Sequence, residues 1–375
     1  MMRVVFAPDS FKGSLTSVQV SEIMEQAFLA VDQDAETILK PMADGGEGTL
    51  EALSKASDPQ KVSLTCTGPL GEKVESSYLE FEDRAIIEGA AIAGLPLVPE
   101  AQRNPDNTTT YGIGEAISHA LNRGHRELMI AIGGSSSNDG GLGMLQALGM
   151  KTFDDEGKET EGFGKDLFHI KRIDFSSIDS RLKNTTIRVA SDVDNPLTGP
   201  KGASHVYGPQ KGASEEQVLT YDQALLDYGT LVEKASGRAV MNSPGAGAAG
   251  GLGFAFLSIG ASLESGARLI SEAIHLPEEI QGADLVVTGE GQSDEQTMYG
   301  KAPGYVAELS KQHNKPALLL SGSLDGDYEE LNQVFTGCFS IVPGPRELTE
   351  CMNHAEEYLF KATKQVARLI LSFAK

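Results

Sequence analysis

Three segments of the sequence place acids and lysines beside glycines. Asp9-Ser10-Phe11-Lys12-Gly13-Ser14 brings a carboxylate, a hydroxyl and a lysine together. Thr288-Gly289-Glu290-Gly291-Gln292-Ser293-Asp294 supplies two more carboxylates, and Lys301 follows in Gly300-Lys301-Ala302-Pro303. Ala43-Asp44-Gly45-Gly46-Glu47-Gly48-Thr49 supplies another, which reads equally well as a helix cap. A lysine meets an anion as a point charge, while a carboxylate holds magnesium or takes a proton from a hydroxyl. Lys12 and Lys301 are therefore candidates to contact phosphate or a substrate carboxylate. Asp9, Ser10, Gly289 and Glu290 are candidates to line the ligand, and Asp44 and Asp294 to hold metal. The histidines are scattered and suggest no Ser–His–Asp set. A kit of lysines, carboxylates and glycine loops suits phosphoryl transfer, where positioning and charge neutralisation do most of the catalysis.

Three further segments add backbone and hydroxyl donors. Ala131-Ile132-Gly133-Gly134-Ser135-Ser136-Ser137-Asn138-Asp139-Gly140-Gly141-Leu142-Gly143 lies between an apolar run and a helical pattern. Gly133, Gly134, Ser135, Asn138 and Gly140 are candidates to cradle a nucleotide phosphate, and Asp139 to ligate magnesium. The competing reading is a tight corner capped by Asn138 or Asp139. The loop is not a Walker A motif and lacks the dinucleotide glycine spacing. The stretch 244–253, with Gly245 and Gly247, is almost devoid of side chains and reads either as close packing or as a backbone surface against a nucleotide. Asp192, in Ser191-Asp192-Val193-Asp194-Asn195-Pro196, is a candidate general base at a strand exit, or part of a turn.

These loops need strands to carry them. Short apolar runs at 4–7, 37–41, 285–288, 317–320 and 339–342 read as buried parallel strands, most followed by helical patterns. Val20, Ile23, Met24, Ala27 and Phe28 recur at helical spacing, with Thr16 and Gln19 as a capping box. Five such strands are the count of a flavodoxin-like sheet. The middle differs: 61–67, 77–81 and 84–88 alternate and suggest antiparallel pairing, followed by strands at 128–132 and 186–190. The expected fold is α/β: a flavodoxin-like parallel-sheet domain, 1–61 plus 281–375, with a mixed-sheet α/β domain, 62–280, inserted.

With 375 residues, two domains are the default. A net charge of −22 disfavours nucleic acid and anionic membranes as partners. It also means that an anionic ligand needs local lysines, backbone N–H groups or a metal. Three widely spaced cysteines argue against a disulfide framework, no apolar run is long enough to span a membrane, and the N-terminus begins as a strand. The expectation is a cytoplasmic protein, with a homo-oligomer left open.

In order, the segments at 7–14, 42–49, 108–117, 133–143, 191–213, 244–253 and 288–303 resemble the bacterial glycerate kinase family of the first type, over essentially the whole chain. The resemblance implies ATP-dependent phosphorylation of D-glycerate to 2-phosphoglycerate with Mg2+, in sugar-acid and glyoxylate catabolism. The alternatives are the same kinase giving 3-phosphoglycerate and a non-catalytic protein binding a nucleotide or sugar acid. Gln292 departs from the arginine usual in the family after Gly-Glu-Gly.

Overall fold

The computed structural model describes residues 1–298, 300–326 and 329–373, so Tyr299 of the last motif lies outside the described residues. The chain is α/β and divides into two compact units. The first comprises residues 1–44, 51–58 and 265–375; the second comprises 45–50 and 59–264.

The first unit is built on a five-stranded parallel sheet in the spatial order Gly337–Ser340, Ala317–Ser321, Leu285–Thr288, Arg3–Phe6, Glu36–Leu39. Numbered within this unit, the order is 2-1-3-4-5, the flavodoxin-like arrangement. Val4 pairs with Leu285 on one side and Thr37 on the other, so the N-terminal strand lies inside the sheet. Strands with buried faces are the usual consequence of helices on both sides, and Leu285–Thr288 and Ala317–Ser321 are buried throughout. The helix Ser17–Leu29 starts with the Thr16–Gln19 capping box and packs its Val20, Met24 and Phe28 into this core. The C-terminal segment forms two helices, Leu348–Asn353 and Ala355–Phe373, and the second packs Leu359 and Ala367 into the same core.

The second unit holds a six-stranded mixed sheet: Ser262–Glu264, Thr186–Ala190, Glu127–Ala131, Ala85–Glu88, Lys73–Glu80, Gln60–Thr67. The first four run parallel, and the last two join by antiparallel pairing. Gln60–Thr67 alternates exposed and buried residues, the mark of a strand solvated on one face.

The boundaries differ from the expected 61/62 and 280/281. Residues 265–280 belong to the first unit, where they are pinned by polar contacts that sequence does not announce. Lys40, buried beside Leu39, donates to Ile274 O at 2.9 Å and to Ala56 O at 3.2 Å. Arg3 donates to Glu279 at 2.8 Å.

Candidate active site

In the first unit the parallel strands all point the same way, so their C-terminal ends share one edge, where open α/β sheets bind ligands. Backbone pairing continues beyond the sheet and holds four exit loops side by side. Ala7 N donates to Val287 O and Asp9 N to Gly289 O, both at 2.8 Å; Met42 N donates to Pro8 O at 2.8 Å, and Gly322 N to Glu290 O at 3.0 Å. Gly289 is glycine for a steric reason: a Cβ there would lie 2.0 Å from Leu320 O.

This ladder gathers Asp9, Lys12, Asp44 and Glu290. Asp9 is 8% exposed and accepts from Ser10 N at 2.6 Å. Burial, reinforced by the charges of Asp44 and Glu290, pushes its carboxyl up to about 7 against the opposing pull of the Ser10 N–H and Lys12. Lys12 is exposed and donates to Asp44 Oδ2 at 2.9 Å; that carboxylate raises the lysine's own pKa. Lys301 Nζ stands 3.7 Å from both Glu290 Oε2 and Asp294 Oδ1. Asp294 Oδ1 also accepts from Gln296 N at 2.8 Å. The expected residues of this unit therefore fall into two acid–lysine groups linked by Glu290, which acts on both Asp9 and Lys12.

The second unit presents a different picture. In the loop after Glu127–Ala131, residues 135–143 are buried. Asp139 is fully buried: Oδ2 accepts from Thr110 N at 2.9 Å, Thr110 Oγ1 at 2.7 Å and Gly143 N at 3.3 Å, and Oδ1 from Gly141 N at 3.1 Å. Met144 N donates to Thr110 Oγ1 at 3.0 Å. The donors at the start of the helix Leu142–Ala147 are thus taken up internally, and the corner is capped from within. Desolvation raises the Asp139 pKa, while Thr110 and the loop N–H groups pull it back.

Gly133 and Gly134 are the less buried part of this loop, and Ser135 is 7% exposed. Gly133 N donates to Gly45 O at 3.0 Å, and a Cβ on Gly133 would come within 2.7 Å of Gly46 Cα. Gly140 N donates to Gly250 O at 2.9 Å. Asn138 is buried; its Nδ2 donates to Ser204 Oγ at 3.0 Å, and its Oδ1 is unpartnered. Gly245 and Gly247 are buried against Leu263 and Pro196 O, where a Cβ would come within 2.6 and 2.2 Å respectively. Asp192 is exposed just beyond the strand Thr186–Ala190.

Sequence reasoning missed two buried charges in this unit. Lys211 is 2% exposed and donates to Ser135 Oγ at 2.8 Å and Ser137 O at 2.5 Å. Burial pulls its ammonium down to about 7, with Asp139 opposing. The available signal was its place in Pro209-Gln210-Lys211-Gly212, a local echo of Pro200-Lys201-Gly202. Glu88, at the end of the strand Ala85–Glu88, accepts from Leu50 N at 2.9 Å and Gly48 N at 3.3 Å. It thereby supplies a carboxylate at the start of the helix Thr49–Ala56, a role for which no local motif speaks.

A parallel sheet in flavodoxin-like order, whose exit loops gather acids and lysines, defines the class: an α/β protein with its ligand-binding edge at the C-terminal ends of the strands. The pattern of the Glycerate kinase family matches residues 4–371. A glycerate kinase of Bacillus subtilis is 43% identical over 373 residues, covering 98% of each chain. A glycerate 2-kinase of Escherichia coli is 43% identical over 370 residues, covering 98% of this chain and 97% of its own. The crystal structure of a Salmonella typhimurium LT2 protein proposed to be a glycerate kinase 2 matches with a TM-score of 0.87 at 41% identity, covering 100% of this chain and 99% of that one. The chain belongs to the glycerate kinase family, and it is an enzyme of the kinase class.

Proposed function

We propose that the protein transfers the γ-phosphoryl group of ATP to D-glycerate, giving 2-phosphoglycerate and ADP. The observation that carries this reading is Asp9, a buried carboxyl held at about 7 beside Lys12 at the ligand-binding edge of the sheet. A general base works best with a pKa near the working pH. Asp9, rather than the exposed Asp192, takes the proton from the attacking hydroxyl as its oxygen bonds to the γ-phosphorus and the bond to the ADP oxygen breaks. Lys12 and Lys301 neutralise the substrate carboxylate and the transferred phosphoryl group, work that matters in a chain of net charge −22. Within the second unit, Gly133, Gly134 and Ser135 are the residues of their loop proposed to contact the nucleotide, with Gly245 and Gly247 as a second backbone surface for it.

Among the described residues no group of three or more His, Cys, Asp or Glu is arranged to hold a metal ion. Magnesium beside a nucleotide keeps several of its waters and takes one or two carboxylates besides the phosphates. Asp294, with Asp44 beside Lys12, fits that modest demand, whereas both Asp139 oxygens are spent within their own loop. The ion supplies charge neutralisation on the phosphates when bound. The setting is the cytoplasm, where ATP is supplied and where three free cysteines are at home. No described helix is long and apolar enough to cross a membrane.

The test is incubation with Mg·ATP and D-glycerate, with the product identified by phosphorus NMR. The expected signal is 2-phosphoglycerate. The 3-isomer would move the attack to the other hydroxyl, binding without ADP release would favour the non-catalytic alternative, and no phosphoglycerate at all would end the kinase reading.

A further inference from the structure

Glu290 stands two residues beyond the strand Leu285–Thr288 and is 7% exposed. Its two carboxylate oxygens differ. Oε1 accepts from Ser293 Oγ at 2.9 Å and from Thr297 Oγ1 at 2.6 Å. Ser293 Oγ also lies 2.6 Å from Ser321 Oγ. A hydroxyl has one proton, and that of Ser293 goes to the carboxylate, so Ser321 is the donor in the second bond. Ser293, Thr297 and Ser321 are all completely buried. Thr297 is itself fixed, because its Oγ1 accepts from Asp294 N at 3.1 Å while its N donates to Asp294 O at 3.0 Å. Two hydroxyls thus converge on Oε1, and a third, that of Ser321, fixes one of them from behind. Oε2 has Lys301 Nζ at 3.7 Å, beyond hydrogen-bonding range, and is the oxygen left for a ligand.

We propose that Ser293, Thr297 and Ser321 are positioning residues that lock Glu290, and that its Oε2 reads the non-reacting hydroxyl of the substrate. This rests on the reading of the protein as a glycerate kinase. A carboxylate only accepts hydrogen bonds, so the class of ligand it selects is a hydroxy acid with a second hydroxyl to donate. A second carboxylate at that end would be repelled. A site built to bond a substrate hydroxyl rejects the analogue lacking it, because the buried acceptor is left unpaired.

The test compares wild type, Thr297→Val, Thr297→Ser and Ser293→Ala. Their KM values for D-glycerate and for ATP are measured, together with calorimetric affinities for glycerate, lactate (which lacks the 3-hydroxyl) and 3-hydroxypropanoate (which lacks the 2-hydroxyl). Wild type should prefer glycerate to the analogue missing the recognised hydroxyl by about 100-fold, the worth of one hydrogen bond to a charged group. In Thr297→Val that ratio should shrink and KM for glycerate rise by about tenfold with KM for ATP unchanged, while Thr297→Ser restores both. Ser293→Ala should move the same quantities in the same direction, an independent reading should the valine variant fold poorly. Unchanged ratios in both donor deletions, or a matching rise in KM for ATP, would overturn the proposal. If wild type forms no phosphoglycerate, the kinase reading falls, and the binding comparison still reports on Glu290.

Discussion

Asp9 carries a folding cost that its proposed role as base explains. Its carboxyl titrates near 7 in the folded protein, against the ordinary aspartate range of about 4 when unfolded. Between those values the native state binds more protons than the unfolded chain, so this group's contribution to stability falls as pH rises from about 4 to about 7. Asp9→Asn should remove that fall and be more stable than wild type at pH 8 by about 2–4 kcal/mol, with little difference near pH 4, as read from denaturant unfolding at each pH. The same variant should lose turnover by about 100-fold or more, and wild-type kcat/KM should rise to a plateau above about pH 7 on a limb that the variant lacks. A variant that unfolds with wild-type pH dependence and keeps its turnover would remove Asp9 from the reaction. Lys12→Ala should lower turnover and Asp192→Asn should preserve most of it. Wild-type turnover in Lys12→Ala would remove the lysine from the reaction, and a large loss of turnover in Asp192→Asn would move the base from Asp9 to Asp192. Residue type alone marked Asp9 as part of the site. Its poise near neutrality comes from burial and from Asp44 and Glu290, partners 35 and 281 positions away that only the fold brings near.

Strand exits were the legible elements, and what each exit loop does with its polar groups was not. The apolar runs predicted the five parallel strands to within a few residues, because strands buried on both faces must be continuously apolar. The loop after Glu127–Ala131 has the composition of a phosphate cradle, yet Asp139 and Thr110 satisfy its helix start from inside. Composition cannot tell a donor aimed outward from one already bonded across 29 residues of sequence. Asp139→Ala should therefore act on folding: with four donors left unpaired in a buried place, a loss of more than about 3 kcal/mol is expected in chemical denaturation. An activity loss at unchanged stability would instead place this carboxylate on ligand. Lys211, which ties Ser135 and Ser137 together, adds a pH signature. Its folded pKa of about 7 lies below the ordinary lysine range, so the unfolded chain binds more protons above pH 7 and stability rises as pH rises from about 7 toward that range. Lys211→Met should flatten that rise, measured as unfolding free energy at pH 7 and pH 9, and an unaltered slope would mean that the amine is not neutral when buried.

At the scale of the molecule, the chain is one continuous thread through two separate cores. The larger core draws on residues from Val62 to Ala261, and the smaller draws on Val4 to Phe28 together with Leu285 to Ala367. Interruption was legible in the sequence, since antiparallel alternation in the middle segment broke a run of parallel-type strands. The exact junctions were not, because they depend on Lys40 and Arg3 reaching Ile274 and Glu279, residues more than 230 positions away. The sheet order makes the two units unequal as fragments. Arg3–Phe6 is paired on one side by Glu36–Leu39 and on the other by Leu285–Thr288, so an N-terminal piece ending at residue 61 keeps two strands and loses the neighbour that completes its buried sheet. A two-stranded piece with an open apolar edge has too little core to offset its conformational entropy. The segment 45–264, by contrast, carries all six strands of its own sheet and the whole of its own core. Expressed alone, 45–264 should show native-like near-ultraviolet dichroism and one cooperative denaturant transition, while 1–61 should show neither. A non-cooperative 45–264 fragment would mean that its core is not self-sufficient and that contacts beyond its own sheet hold it together.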